Sequence, residues 1–284
     1  MTKGTRAFRI IISVLLGLTM LWTAYISYAF IYVTKENNEL RRQERYGIYV
    51  AGTHVTRGNC HDILGDGAVS YNPDSNRLTL RNATIACEGS AIYSDIDLTI
   101  VLEGENKLIS SGKELTYGLY ASDYSLRKDL CILGDGTLEI IVEDDGCLAN
   151  AGIVAGDVWI DADVSISLAN AEDSSTGISC KYLSLDEERN LSVKVGSAEN
   201  STGIFVRGNL YLDEGSVVDV TGAAATKESM GIECNGNLTA KENASVTSVS
   251  GGEYAGIICY NSILDYGADF QCEIDATDGI RDMK

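Results

Sequence analysis

Short runs of alternating apolar and polar residues fill the chain from about residue 90 onward. The segment that begins at Gly203 contains three such runs, whose apolar positions are Ile204 and Val206, Leu210 and Leu212, and Val218 and Val220. A period of two residues predicts strands and gives no indication of helices. Turn-forming pairs such as Gly208-Asn209 separate the runs. The pattern therefore predicts an all-β chain of short strands.

The strand pattern returns at a nearly fixed interval, and each return is marked by a glycine followed by an aliphatic residue. These glycines are Gly118, Gly152, Gly177, Gly203, Gly231, Gly256 and Gly279, with gaps of 34, 25, 26, 28, 25 and 23 residues. A period in the twenties indicates a solenoid, in which each repeat buries its apolar face against its neighbours. Three strands and three turns per repeat predict a single-stranded parallel β-helix with about 25 residues per coil.

Two other architectures were weighed against the β-helix. A leucine-rich horseshoe has a similar period, but it requires an inward asparagine or cysteine in register, and no such asparagine occurs here. A β-sandwich also uses short alternating strands, yet nothing in that fold repeats one dipeptide every ~25 residues. The β-helix is the favoured prediction.

The amino-terminal region has a different character. Residues 10–33 contain no charged residue, and this apolar run is long enough to cross a hydrocarbon layer of ~30 Å. Basic residues precede it, which predicts a single-pass cell-membrane protein with a cytoplasmic N-terminus and an extracytoplasmic β-helix. The alternative is a cleaved signal peptide that ends near the small residues Ser27 and Ala29. Both interpretations export the remainder of the chain.

A cap is predicted between the amino-terminal region and the first coil. Two apolar stretches, 68–71 and 78–80, flank the turn-forming residues 72–76 and predict a hairpin. Such a cap would cover the first coil, whose open edge otherwise invites association. The predicted organisation is a cytoplasmic tail (1–9), a transmembrane helix or signal anchor (10–33), a charged stalk (34–45), an N-terminal β cap (46–90) and the β-helix (91–284).

Three stretches at the start of the predicted fold carry a resemblance to a known family. They are IYVAGTHVTRGN, DILGDGAVSYNPDSNRLTLRNATI and IYSDIDLTIVLEGENKL. They resemble a bacterial cell-surface β-helix family labelled carbohydrate-binding-domain-containing proteins. The resemblance covers roughly residues 46–280, and it implies a right-handed β-helix with a glycan-binding role. It supplies no binding residues that can be carried over.

Charge limits the class of partner. Beyond residue 33, 19 Lys and Arg stand against 41 Asp and Glu. Nucleic acid and anionic lipid surfaces need cationic faces and are therefore disfavoured. An acidic polysaccharide is also disfavoured unless divalent cations bridge the two polyanions. A neutral polysaccharide or a surface protein remains as the expected partner.

Candidate binding residues follow from the strand period. Two positions after each repeat glycine the side chain should point outward, which places Tyr93, Tyr120 and Phe205 on one face. Trp159 and Tyr211 should project from the second strand of their coils and extend an aromatic platform. Aromatic rings on an exposed face stack on sugars, whereas scattered exposed aromatics are also ordinary in soluble proteins.

An aspartate follows the second strand in several coils, at Asp161, Asp186 and Asp213. Because stacked coils lie ~4.8 Å apart, such a column brings like charges together, and calcium would relieve their repulsion. The alternative is that aspartate favours these turns by accepting bonds from nearby backbone N–H groups. The turn interpretation is favoured, because Lys241 interrupts the column and no second ligand residue repeats beside it. The prediction is therefore that the chain needs no cofactor, with calcium as the one candidate ion.

Eight cysteines are present, and several of them take apolar positions. Cys180, Cys234 and Cys259 each fall three residues after a repeat glycine, where a packed core thiol is expected. If a disulfide forms, Cys60 and Cys87 are the expected pair.

Three functions remain open. The leading hypothesis is a non-catalytic module that binds glycan. The first alternative is a structural or protein-interaction scaffold at the cell surface, and the second is a polysaccharide lyase or hydrolase. Paired carboxylates do occur, as at Asp95 with Asp97, but they sit where turns favour acidic residues, so no catalytic residue is assigned.

Overall fold

The structure is a computed structural model. It describes residues 44–123, 126–143, 145–222, 225–249, 256–271 and 280–282, together with positions 20, 22–23, 25–28, 30, 32 and 34–35.

The residues that are described from position 44 onward form β-strands and turns. In chain order the strands are β1 Arg45–Val50, β2 Thr53–Thr56, β3 Val69–Asn72, β4 Arg77–Arg81, β5 Thr84–Glu88, β6 Ile92–Ser94, β7 Leu98–Glu103, β8 Glu105–Ser111, β9 Leu115–Ala121, β10 Leu130–Val142, β11 Cys147–Val154, β12 Asp157–Leu168, β13 Ala171–Cys180, β14 Tyr182–Leu185, β15 Asn190–Lys194, β16 Asn200–Val206, β17 Leu210–Leu212, β18 Val217–Thr221, β19 Glu228–Cys234, β20 Asn237–Ala240, β21 Ser245–Val249, β22 Ile257–Cys259, β23 Ser262–Asp265, β24 Asp269–Gln271 and β25 Ile280–Asp282.

These strands stack into three parallel ladders. The first ladder runs β6-β9-β11-β13-β16-β19-β22-β25. The second runs β4-β7-β10-β12-β14-β17-β20-β23, and the third runs β5-β8-β10-β12-β15-β18-β21-β24. The strands β10 and β12 are long enough to belong to both the second and the third ladder. The predicted all-β solenoid with three strands per coil is confirmed, whereas its right-handed sense stays a prediction.

The aliphatic residues that follow the repeat glycines meet in the interior. Ile153, Ile178, Ile204, Ile232 and Ile257 pair with one another in successive coils. Each of these side chains is fully buried. Because burying an isoleucine contributes about 1.5–3 kcal/mol, this column alone is a substantial part of the core. The predicted alignment of coil over coil is therefore confirmed.

The repeat glycines are explained by close approach rather than by turn geometry. A Cβ atom on Gly203 would lie 2.2 Å from Val220 Cγ1 and 2.5 Å from the carbonyl oxygen of Gly231 in the next coil. Gly177 meets the same two kinds of neighbour, Val193 Cγ1 at 2.1 Å and the Gly203 oxygen at 2.3 Å. The first ladder thus passes so near the third ladder that only glycine fits, which is why the dipeptide recurs.

Antiparallel strands close the amino-terminal end of the stack. Strand β1 pairs antiparallel with β6, and β3 pairs antiparallel with β4 through Val69–Leu80 and Tyr71–Leu78. The second pairing is the predicted hairpin, which is confirmed. Parallel pairing already begins with β4 on β7 and β5 on β8, so two ladders start before residue 91. The first coil is therefore covered on both the first and the second ladder.

Side chains at the turns bind the backbone of the next coil. Asp97 Oδ1 accepts a hydrogen bond from Asp129 N at 3.0 Å, and Asp129 Oδ1 accepts one from Asp157 N at 2.9 Å. Within β12, Asp163 Oδ1 accepts bonds from Asn190 N at 2.9 Å and Asn190 Nδ2 at 3.0 Å. These carboxylates satisfy N–H groups that the ladders leave unpaired. Many turn aspartates therefore connect coils.

No disulfide joins the cysteines that the structure describes. Cys180, Cys234 and Cys259 are buried in the core as expected, and burial raises the pKa of Cys180 to about 12. The expected disulfide between Cys60 and Cys87 is not formed, so that prediction is wrong. Cys272 lies outside the described residues.

The predicted transmembrane helix must be corrected. Within 10–33 the structure describes positions 20, 22–23, 25–28, 30 and 32, which have helical backbone. No helix formed by the described residues is long and apolar enough to cross a membrane. The transmembrane part of the predicted fold class is therefore wrong. The predicted tail 1–9 and most of the stalk 34–45 lie outside the described residues.

Candidate ligand-binding groove

One connection between the first and second ladders is longer than its counterpart in the next coil. Asp129 follows Tyr120 by nine positions, whereas its register equivalent Asp157 follows Val154 by three. The extra residues form a loop between β9 and β10. Their presence contributes to the long gap of 34 residues between Gly118 and Gly152 in the repeat series. The coil that contains β9 and β10 is therefore longer than the regular repeat because of this connection.

Local hydrogen bonds shape this loop, which comprises residues 122–128; residues 124–125 are outside the description. Ser122 and Arg127 form an antiparallel bridge, and Asp123 N donates to the oxygen of Leu126 at 2.9 Å. Asp123 Oδ1 accepts the N–H of Leu126 at 2.7 Å, while its Oδ2 pairs with Lys128 Nζ at 2.7 Å. The Asp123 carboxylate thus fixes both ends of the loop.

Arg127 extends from this loop across the outer face of the first ladder. Its Nη1 donates to the carbonyl oxygen of Ser179 at 2.8 Å and to the Ser179 hydroxyl at 3.1 Å. Ser179 lies two coils beyond Tyr120, because Tyr120 pairs with Val154 and Val154 pairs with Ser179. Burial and, secondly, the charge of Arg207 lower the pKa of Arg127. The side chain forms one wall of a groove.

We call this concavity the groove. Its volume is about 1230 Å³. It is lined by Tyr49, Gly52, Glu88, Ser90, Tyr93, Tyr120, Ser122, Asp123, Leu126, Arg127, Asp129, Gly156, Asp157, Lys181 and Arg207. The groove crosses several coils and has an aromatic end and a cationic end, which can be assigned from the register of the ladders.

The aromatic end is a continuous row of rings. Tyr93 and Tyr120 pair in adjacent coils, and their rings are stacked with centroids 5.8 Å apart and planes 20° apart. Tyr49 from β1 meets Tyr93 edge-on at 5.6 Å, and it also contacts His54 at 4.2 Å. Tyr117 stacks on Tyr120 at 4.7 Å. The contacts hold these rings in defined positions, so the row forms a preorganised aromatic surface along this end of the groove.

The carboxylates of the groove already have structural roles. Asp123 pairs with Lys128, and Asp129 accepts the N–H of Asp157. The pKa of Asp157 is raised by burial and then by the neighbouring charge of Asp129, while Lys181 opposes the shift. Polar groups therefore flank the aromatic row and can orient a ligand that carries hydroxyl groups.

The structure brings together only part of the predicted ligand-binding set. Tyr93 and Tyr120 line the groove. Phe205 lies in the same column but three coils from Tyr120, and it is not among the lining residues. Trp159 and Tyr211 belong to the second ladder, where they occupy one column with Ser184 between them. Two of the five predicted binding residues, Tyr93 and Tyr120, thus line the groove.

The residues that were missed are Tyr49 and Arg127. Tyr49 reaches the groove because β1 runs antiparallel, so the repeat register does not apply to it. Arg127 belongs to the loop that lengthens its coil. A signal for the loop was present in the repeat series, because the gap after Gly118 exceeds every other gap in the series.

The predicted metal residues Asp161, Asp186 and Asp213 do form a column and line a second, smaller depression. Arg189 pairs with Asp161 at 2.8 Å, and Lys241 pairs with Asp213 at 2.8 Å. The hydrogen bond from Lys241 is the main cause that lowers the pKa of Asp213. These two cations supply the countercharge that the calcium hypothesis assigned to a metal ion.

Asp186 occupies the middle of this column. Burial is the main cause that raises its pKa, and the charges of Asp161 and Asp213 add to the effect. Across the described part of the chain, no group of three or more His, Cys, Asp or Glu side chains is arranged to hold a metal ion.

Comparison with protein-family models, with curated proteins and with solved structures finds no match to this chain.

Proposed function

We propose that this protein is a non-catalytic binding module for a glycan, which lies in the groove and stacks on Tyr93 and Tyr120. The stacked pair of rings, held across two coils on one side of the groove, is the observation that carries the proposal. Sugar rings present flat C–H faces to aromatic side chains and hydroxyl groups to polar ones. The groove offers both kinds of partner within one concavity.

The dimensions of the groove support an oligosaccharide rather than a single sugar. Its volume of about 1230 Å³ exceeds the roughly 300–1,000 Å³ typical of small-molecule sites. The groove is built on parallel strands whose rings are fixed by contacts with one another. Binding therefore requires little ordering of the protein, which favours affinity.

A binding role is also favoured by what the carboxylates do. Asp129 is bonded to the N–H of the next coil, and Asp123 is paired with a lysine. Hydrolysis needs one carboxylic acid with a raised pKa and a second carboxylate across the scissile bond. Asp157 has a raised pKa, but the neighbouring Asp129 is already engaged in linking coils. We therefore assign these groups to positioning the ligand and holding the coils.

The test uses the full chain and a panel of soluble neutral polysaccharides, measured by affinity electrophoresis and by calorimetry with matching oligosaccharides. We expect Tyr93→Ala and Tyr120→Ala each to weaken binding at least about fivefold, since each removes one stacking face. Trp159→Ala is the matched control, because it removes a 46 % exposed aromatic from the second ladder. Circular dichroism and thermal melting check that each variant is folded.

The outcomes separate the possibilities. Absence of binding across the panel contradicts the proposal, as does binding that is lost with Trp159→Ala but kept with Tyr93→Ala. Release of reducing ends or unsaturated products from a bound polysaccharide would contradict the non-catalytic part alone.

A further inference from the structure

The cationic side chains of the groove cluster at the end away from the stacked tyrosines. Ser179 pairs with Phe205 in the next coil, and Lys181 and Arg207 each follow two positions later in those two adjacent coils. Arg127 reaches the first of these coils, because its Nη1 binds both oxygens of Ser179. Adjacent coils are ~4.8 Å apart. Three positive charges therefore gather within two neighbouring coils.

None of these three cations takes part in the ion pairs formed among the described residues. Arg127 donates to carbonyl and hydroxyl oxygens, which carry no charge, and only its Nη1 is engaged with the described part of the chain. Lys181 Nζ lies 4.6 Å above the ring of Tyr182, again without a carboxylate partner. The other guanidinium donors of Arg127, on Nε and Nη2, have no hydrogen-bond partner within the described part of the chain.

This arrangement is unusual for a chain of net charge −19. Elsewhere in the described solenoid, cations such as Arg189 and Lys241 are paired with aspartates. In the groove, burial lowers the pKa of Arg127, and repulsion from the nearby charge of Arg207 lowers it further. An anion placed between the cations would relieve this repulsion, and it would receive charge-assisted hydrogen bonds.

We infer that the glycan bound in the groove carries an anionic group, which Arg127, Lys181 and Arg207 hold while a neutral sugar stacks on Tyr93 and Tyr120. This inference rests on the proposed function and narrows its ligand class. The acidic character of the whole chain disfavours a polyanion, whereas a single carboxylate on an otherwise neutral chain meets only the local cluster. A uronic acid residue within a neutral oligosaccharide has this chemistry.

Four carboxylates also line the groove, at Glu88, Asp123, Asp129 and Asp157. Asp123 is paired with Lys128, whereas Asp129 accepts a hydrogen bond from a backbone N–H and keeps its charge. Glu88 belongs to β5 and lines the groove with the tyrosines. Asp157 is the carboxylate nearest in register to Lys181, and the charge of Lys181 acts to lower its pKa against the larger effect of burial, although no ion pair joins the two among the described residues. The anion site is therefore the region bounded by Arg127, Lys181 and Arg207.

The experiment compares two probes on the full chain by calorimetry: a neutral xylo-oligosaccharide and the same oligosaccharide bearing one glucuronic acid. We expect the charged probe to bind about tenfold more tightly to the unmodified protein, the scale of one or two charge-assisted hydrogen bonds. Arg207→Ala should reduce that preference for the charged probe to about twofold or less, because it removes one of the three cations that would hold the carboxylate. Arg207 is an exposed turn residue, so this substitution is not expected to disturb the fold.

Lys194→Ala is the matched control, because it removes one positive charge from an exposed position on the third ladder. It should leave the preference intact. If the neutral probe binds as tightly as the charged probe, the inference of an anion site is overturned, but the proposed glycan-binding function stands. If neither probe binds, both the inference and the proposed function are overturned. A preference that disappears on addition of EDTA also overturns the inference, since a bridging divalent cation would then hold the carboxylate.

Discussion

The close approach at the repeat glycines predicts that Gly203→Ala destabilises the solenoid although alanine is small and apolar. The new methyl carbon would lie 2.2 Å from Val220 Cγ1 and 2.5 Å from the Gly231 oxygen. Separations this short require atoms to move, and the Gly231 oxygen belongs to the ladder that joins β16 to β19. Overpacking of a core costs typically 1–3 kcal/mol, and weakening one ladder hydrogen bond adds about 1 kcal/mol.

The expected loss is therefore about 2–4 kcal/mol in the free energy of unfolding. Urea denaturation followed by far-ultraviolet circular dichroism measures it, with the slope m compared between variants so that a change in cooperativity is recognised. A decrease in melting temperature of several degrees should accompany it.

A double-mutant cycle identifies the atoms responsible. Val220→Ala alone removes apolar volume and should cost roughly 2 kcal/mol. In that background Gly203→Ala should cost less than in the native chain, by about 1 kcal/mol, because the contact with Cγ1 is gone while the contact with the Gly231 oxygen persists. A cost for Gly203→Ala within about 0.5 kcal/mol of zero, or strict additivity in the cycle, would refute the reasoning.

Three further predictions concern charge, thiols and the bonds between coils. Asp186→Asn should raise the free energy of unfolding at pH 7 by about 0.5 kcal/mol, the scale of exposed charge pairs. The pKa of Asp186 is raised, so its carboxylate becomes protonated and uncharged in the native state as the pH falls through that pKa. The stability advantage of the asparagine variant should therefore fade at acidic pH, which a series of thermal melts would measure. An advantage that does not depend on pH would contradict this explanation. In native protein, iodoacetamide should modify the half-buried Cys131 before the buried Cys180, whose pKa is about 12. Mass spectrometry measures the extent of labelling at each cysteine, and equal labelling would contradict the buried position of Cys180. Asp163→Ala should lower the free energy of unfolding by about 1 kcal/mol, because the N–H of Asn190 loses its acceptor. Asp163→Asn keeps an acceptor oxygen and should lower it by less than half as much, as measured by urea denaturation. Equal losses for the two variants would contradict the role given to this hydrogen bond.

The regular part of the fold could be predicted because each coil repeats the same inward and outward positions. Ile178 and Ile204 point inward and pair in register, as the glycine spacing required. The outward placement of Tyr93 and Tyr120 in one column followed from the same counting. Local alternation and repeat length contain this information without knowledge of any distant contact.

The groove could be predicted only in part, because two of its walls lie outside the repeat. Tyr49 arrives on an antiparallel strand, and Arg127 arrives on a loop whose path depends on a bond to Ser179, 52 residues further along the chain. A count of outward positions treats Phe205 as equivalent to Tyr120, although the loop covers the region near Tyr120 and does not extend to Phe205. Contacts between residues so far apart leave no trace in a local pattern.

Charge columns show a similar limit. The alignment of Asp161, Asp186 and Asp213 was visible in the spacing, but the pairing of the outer two with Arg189 and Lys241 depends on side-chain reach between coils.

The loop between β9 and β10 lengthens one coil without altering the pairing on either side of it, since Tyr120 still aligns with Val154 and Leu130 with Val158. The segment that forms one wall of the groove is thus almost independent of the strands that keep the coils stacked. A chain with a shorter or longer insertion at this point would keep the same scaffold and change the shape of the groove. The position is accordingly a natural place for evolutionary change, and for grafting a new recognition loop, at little cost to folding.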